Sequence, residues 1–480
     1  MKTSTSIVPL LMLVCGSATA ASISVDEATA RLGMAMQIAR EHNDKAMVAK
    51  VEKAGRNLKS AVSNGRVEDA ELRAAETVVG IDPGGWSMAG QPLAHPTQEM
   101  LAHSRTINAR LDIAMQSDDP AKVRGVTAEM VSLLGGQAGV PDGRRMGVKA
   151  TVHAMSEAEA ARLFVTAIRS EGRRVRQLAE GNPLPDQMLR VYASVLQGVC
   201  DAHASIQTHV PDALPEMDRL AKGCAQILLD RQQPSGLFPF PDLRNKNIRF
   251  GDMLTRAAKA GTLEVVDGWV ISPDPDGGSQ FDTGVCASAL LSAAEVYGRQ
   301  DWKQAALKAA DWALAQRCVR NFNYNAFSVS LLARAFKATG EARYLAGALQ
   351  KLRVGVAPGQ APNGRWIDSH NARTVYHVII LRALSDLASV LPDDQRAEVD
   401  AISKPAIKTL LDEFDIMGIT VDALPELLAL RTVNHDDDRL KQSTQAMASM
   451  LAGKCTDGTK VKMGTSAAQL AAVIRTWASH

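Results

Sequence analysis

"FDTGVCASALLSAAEVYGRQDWKQAALKAADWALAQR", residues 281–317, decides the fold. Its first half is apolar on almost every side, and a helix without a polar face must be covered all round. Gly298 then marks a turn. The second half carries Lys303, Lys308 and Asp311 along one side, as a half-exposed helix does. The couplet recurs along the chain. Nearly apolar helices are expected at about 185–208, 282–298, 324–339, 372–391 and 418–431. Amphipathic partners are expected at about 213–232, 301–317, 341–355, 394–414 and 436–452, with 464–478 as a last member of that second set. A helix–turn–helix repeat of roughly 45–50 residues implies stacked helical pairs. One ring of helices inside another satisfies both kinds of helix. The expected class is all-α, an (α/α) toroid of hairpins over 183–480 with an additional N-terminal helical region over 21–182.

That layout resembles the toroids of six-hairpin glycosidases and polysaccharide lyases. The resemblance is carried by "LLDRQQPSGLFPFPDL" (228–243), "DGGSQFDTGVCASALLSAAEVYG" (276–298) and "NYNAFSVSLLARAFKATGEARYLAGAL" (323–349). It is one of architecture and matches no single named family, so it assigns no catalytic residue. It implies a carbohydrate-active protein.

The rest of the chain limits the choices. It has 480 residues, 46% hydrophobic and 22% charged, with a net charge of +2. Neither that balance nor any basic block suits nucleic acid. Lys2, an apolar core from Ile7 to Val14 and the small-x-small triplet Ala18-Thr19-Ala20 read as a signal peptide over 1–20, cut after Ala20. The apolar core is too short for a permanent transmembrane anchor. The expected location is periplasmic or secreted. Cleavage leaves Cys200, Cys224, Cys286, Cys318 and Cys455. Export permits disulfides, and the spacing suggests Cys200–Cys224 and Cys286–Cys318. Five buried thiols are the equal alternative. The sequence leaves the oligomeric state open.

In a ring of hairpins all inner helices run the same way, so the loops before them gather on one rim. Those loops are the long ones, 267–282, 318–325 and 357–371, and function favours long loops on a rigid scaffold. The richest stretch is "GRWIDSHNARTVYHV" (364–378), where Arg373, Tyr376 and His377 share a helix face. The candidate catalytic residues are Tyr376, His377, His370, Asp282 and Asp368. Arg373, Asn325, Tyr324, Trp366, Trp269 and Arg244 are candidates for binding. Each has a plainer reading: Asp282 as a helix N-cap, His377 as a hydrogen-bonded core histidine, and "PDPDGG" (273–278) as a solvated turn.

Two chemistries suit such a rim. Elimination from a uronic-acid polymer needs a base and donors that hold the sugar carboxylate. Tyr376 or His377 would be the base, with Arg373 and Asn325 as donors. Glycoside hydrolysis needs two carboxyl groups, for which Asp282 and Asp368 are the pair. The three loops hold no glutamate but several Arg, His, Tyr and Asn residues, which favours an anionic glycan and elimination. A non-catalytic glycan-binding or envelope-scaffold protein is the third reading. Motifs for metal, nucleotide or other cofactors are missing from the sequence.

Overall fold

The computed structural model describes residues 45–63, 98–133, 152–244, 248–272, 278–366, 374–417, 419, 421–434, 436–456 and 463–478. The signal segment expected at 1–20 lies outside them. Seventeen α-helices account for most of the described residues. The first are α1 (Lys45–Ser63), α2 (Gln98–Gln116), α3 (Pro120–Leu133), α4 (Glu157–Ser170) and α5 (Arg173–Ala179). Next come α6 (Leu189–His209), α7 (Leu214–Arg231), β1 (Phe240–Pro241), α8 (Ile248–Lys259), β2 (Val265–Val266) and β3 (Trp269–Val270). They are followed by α9 (Gly278–Tyr297), α10 (Gln300–Ala315), α11 (Phe322–Thr339), α12 (Ala342–Gly355) and α13 (Thr374–Ala388). The chain closes with α14 (Ala397–Met417), α15 (Leu424–Val433), α16 (Asp438–Thr456) and α17 (Met463–Ala478). No helix among the described residues is long and apolar enough to cross a membrane.

The chain divides into two units. One comprises 1–149, 358–377 and 404–421, and the other 150–357, 378–403 and 422–480.

The second unit is an (α/α) toroid, and side-chain and helix contacts trace its inner ring. Helix α6 packs on α9, and α9 on α11. Ser330 and Arg334 of α11 reach Asp386 of α13, whose Arg382 donates to the Pro425 carbonyl of α15. Helix α15 packs on α17, and α17 returns to α6. The ring is therefore closed. Outside it, α7, α10, α12 and α16 back onto α6, α9, α11 and α15. Arg353 of α12 pairs with Glu398 of α14 at 2.7 Å. Helix α4, started by a capping box between Ser156 and Glu159, covers α6 and α17 from outside.

The sequence explains which helices go inside. In α9, Asp282, Thr283, Gly284, Cys286, Ala287, Ala289, Leu290, Leu291 and Ala293 are buried. Small residues on several sides let neighbouring backbones come close. At Gly198 of α6 an added Cβ would lie 2.5 Å from the Ala467 carbonyl carbon of α17. That contact seals the ring. It also corrects the place of the 464–478 segment. Expected among the amphipathic outer helices, it is an inner one, with Ala467, Leu470, Ala471, Ala472, Val473 and Ile474 all buried.

A polar belt touches all six inner helices. Ser292 of α9 donates to Gln197 of α6 at 3.0 Å, and Gln197 donates to Asp201 at 2.9 Å. Arg475 of α17 reaches Asp201 at 3.1 Å. Across the ring, Asp386 accepts from Ser330 at 2.5 Å, Arg334 at 3.1 Å and Arg382 at 3.2 Å. Burial alone would raise the Asp386 pKa, but Arg334, Arg382 and the Ser330 hydroxyl bring it down to about 2.

The cysteines follow the second alternative except at Cys455, which is half-buried. Cys200, Cys224, Cys286, Cys318 and Cys455 are free thiols, and the first four are buried. The expected Cys200–Cys224 and Cys286–Cys318 bridges are not formed. Burial lifts the Cys286 thiol well above its ordinary range, as suits a small hydrophobe in a helix interface.

In the first unit α2 and α3 form a hairpin with an Arg110–Glu129 pair at 2.7 Å. Arg365 is fully buried and pairs with Glu413, which also accepts from the Thr374 hydroxyl at 2.6 Å.

Candidate functional site

Two contacts set the starts of three inner helices on a common rim. Arg190 at the start of α6 pairs with Asp282 near the start of α9. The Phe281 ring of α9 stacks on Tyr324, at the start of α11, with centroids 6.1 Å apart. Helices α6, α9 and α11 therefore run parallel, and the segments feeding them share one end of the ring.

Next to that end lies a cleft of about 880 Å³. Its walls come from the segment before α6 (Asp186, Gln187), the β1 exit (Asp242, Arg244), α8 (Lys259) and β3 (Trp269). A three-stranded sheet in the order β1-β3-β2 builds one side. Strands β2 and β3 form a hairpin whose turn residues Asp267 and Gly268 have φ of +50° and +79°. Both positive values are what a two-residue hairpin turn of this kind requires. Trp269 is half-buried, with the Arg231 guanidinium 5.5 Å from its ring centroid. Arg244 is exposed and grips Asp242 through Nε at 2.9 Å and Nη2 at 2.6 Å.

On the rim, Asp282 accepts from Arg190 Nε at 2.8 Å and Nη2 at 2.9 Å. Its side chain is 4% exposed, against 25% for Arg190. Burial raises the Asp282 pKa, and the Arg190 charge and its two hydrogen bonds oppose the rise. The Arg190 guanidinium lies 4.0 Å from the Phe281 ring centroid and 5.8 Å from that of Phe240.

Of the residues expected from sequence, Arg244 and Trp269 share the cleft, and Asp282 and Tyr324 lie on the rim. Asp282 does not cap its helix, which begins four residues earlier at Gly278. Three others correct the expectation, because they are internal. Asn325 has no exposed surface. It accepts from the Val319 N–H at 2.9 Å and donates to the carbonyls of Val319 at 2.6 Å and Gly355 at 2.7 Å. In the first unit Trp366 and His377 are fully buried, and their rings meet edge-on at 5.4 Å. His377 Nε2 faces the Ala406 carbonyl at 2.9 Å, so Nε2 carries the proton. Burial, reinforced by the Arg365 cation, pushes its pKa well below the ordinary range. His377 is a neutral core histidine with no surface to offer a substrate. Tyr376 is half-buried in the same unit. Asp368, His370 and Arg373 lie outside the described residues, as do Asp274 and Asp276.

Sequence reasoning missed Arg190, Asp186, Asp242 and Lys259. For Arg190 the only local signal is an arginine at the start of an apolar helix. Its partner stands 92 residues away.

No known protein family matches the sequence, and no curated protein matches it. Among solved structures, cellobiose 2-epimerase from Spirochaeta thermophila is similar in fold, with 10% sequence identity and a TM-score of 0.39. The match covers 62% of this chain and 88% of that one. It transfers no residue role.

Proposed function

We propose that this chain is an exported carbohydrate-active protein that binds an acidic glycan at the Trp269 cleft and cleaves it by elimination. The observation that carries the reading is the convergence of an aromatic face, Trp269, with two cationic side chains, Arg244 and Lys259, on one cleft. A sugar ring has an apolar face that packs on an indole, and a uronate supplies the charge that the cations attract. Neutralising that carboxylate acidifies the neighbouring C–H, which is the electrostatic half of an elimination.

Hydrolysis through Asp282 and Asp368 is less well supported, because both Asp282 oxygens are engaged by Arg190 and the group is buried. One observation favours a different hydrolytic pair, since Asp186 and Asp242 border the same cleft. Asp242 is, however, held by Arg244.

The test is incubation with a panel of polyuronates and neutral polysaccharides. Elimination gives new ultraviolet absorbance from the unsaturated sugar. Reducing ends without that absorbance mean hydrolysis. Binding without either product means a scaffold, and no binding to any member of the panel refutes the glycan reading.

A further inference from the structure

Beside the cleft, the rim holds an arginine that its own partners leave half used. We propose that Arg190 recognises the carboxylate of an acidic sugar unit, at a subsite adjoining the Trp269 cleft. The proposal rests on the glycan reading of that cleft and deepens it by naming a second point of contact and the acid group it takes.

Asp282 occupies one edge of the guanidinium, through Nε and Nη2. Phe281 covers one face at 4.0 Å. Nη1 has no hydrogen bond to any described residue, and a quarter of the side chain is exposed. An arginine offers five N–H donors in a fixed fork. With Asp282 on the side-on edge, the end-on edge formed by Nη1 and the second Nη2 proton meets no acceptor among the described residues and can take another carboxylate.

The burial is asymmetric in the way a binding group requires. Asp282 is sunk at 4% exposure, while Arg190 keeps 25%. The ion pair and the aromatic stack have already fixed the arginine side chain. Its ordering therefore does not have to accompany ligand binding, and that favours affinity. Lysine would supply the charge but neither the fork nor the stack.

Strand β1 joins this point to the cleft. Phe240 lies beneath the Arg190 guanidinium, and the next residue, Pro241, lines the cleft. Consecutive strand residues point to opposite faces, so the strand separates two neighbouring sites. A glycan chain crossing it would set one sugar against Trp269 and present the acid group of another to Arg190. Tyr324, half-buried and stacked on Phe281, continues the flat wall on the far side.

The test is affinity electrophoresis through gels containing polygalacturonate, alginate or glucuronan, each beside its carboxyl-reduced counterpart. Wild-type protein is compared with Arg190→Lys, Arg190→Gln and the double variant Arg190→Gln/Asp282→Asn. The double variant removes the cation without stranding a buried carboxylate, and thermal melts establish that each variant is folded. The expected result is retardation of wild type by a polyuronate but not by its reduced form. Kd should weaken roughly ten- to a hundredfold in the double variant, by loss of a charge-assisted contact, with Arg190→Lys in between. Equal retardation of wild type and the folded double variant overturns the subsite and leaves the cleft reading standing. Equal retardation by the carboxyl-reduced polymers overturns the acidic specificity. No retardation in any gel removes the glycan reading and this subsite with it.

Discussion

Asp386→Asn tests whether the polar belt holds the ring together. The carboxylate joins α11 to α13 by accepting from Ser330, Arg334 and Arg382. Its pKa falls from 3.8 to about 2 on folding, and at 1.36 kcal/mol per unit the charged form contributes about 2 kcal/mol at neutral pH. Removing one partner of a buried pair costs about 3–5 kcal/mol when the other is stranded. Here Arg334 and Arg382 are 20% and 23% exposed, so water recovers part of that. A loss of about 2–4 kcal/mol at pH 7 follows, or a melting temperature lower by roughly 3–7 °C for a unit of this size. The sign with pH is fixed by the lowered pKa. The stabilisation is complete above pH 3.8 and disappears as pH falls toward about 2. The gap between wild type and variant, measured by urea unfolding, should therefore close across that interval. A loss below about 0.5 kcal/mol at pH 7, the scale of an ordinary surface substitution, refutes the reasoning. So does a gap that stays constant through the acid range.

Other substitutions address the closure, the core and the thiols. Gly198→Val should cost about 3 kcal/mol or more by urea unfolding, because backbone rather than a flexible side chain meets the added atoms. His377→Ala should lose about 2–4 kcal/mol through its cavity, while glycan binding by the folded variant stays unchanged; selective loss of binding would return His377 to the site. In the chain lacking residues 1–20, a thiol reagent should modify all five cysteines after denaturation without reductant. Fewer than five would reveal a disulfide. In the native state Cys455 should react first but slowly, since burial pushes its thiol up to about 11.

The toroid was legible because helix amphipathicity reports how many sides of a helix are covered. The turn glycines Gly298 and Gly340 stand where α9 and α11 end. The same logic failed for α17 because it was placed by its order in the chain, not by its faces. Its run of small and apolar residues is the inner-helix pattern, and its outer neighbour is α4, which comes some 300 residues earlier. "VVDGWV" (265–270) also held a readable hairpin signal, an Asp-Gly pair between β-formers, inside what looked like an open loop.

Side-chain roles were less legible, for a physical reason. Helical spacing shows that Tyr376 and His377 neighbour each other, but not whether their side of the helix meets water or protein. His377 and Trp366 meet protein, and their chemical variety serves packing in a unit that also buries Arg365 and Glu413. The reverse error concerns Arg190, a single charged residue leading an apolar helix and therefore unremarkable in sequence. Its significance comes from Asp282 and Phe281, which only ring closure brings to it. Asp282 was singled out as an acid; in the fold it is the group that aims the arginine. In a toroid the pairs that matter straddle neighbouring inner helices. A polar residue near the start of one inner helix should therefore be read against the starts of the helices beside it before any catalytic role is assigned to it alone.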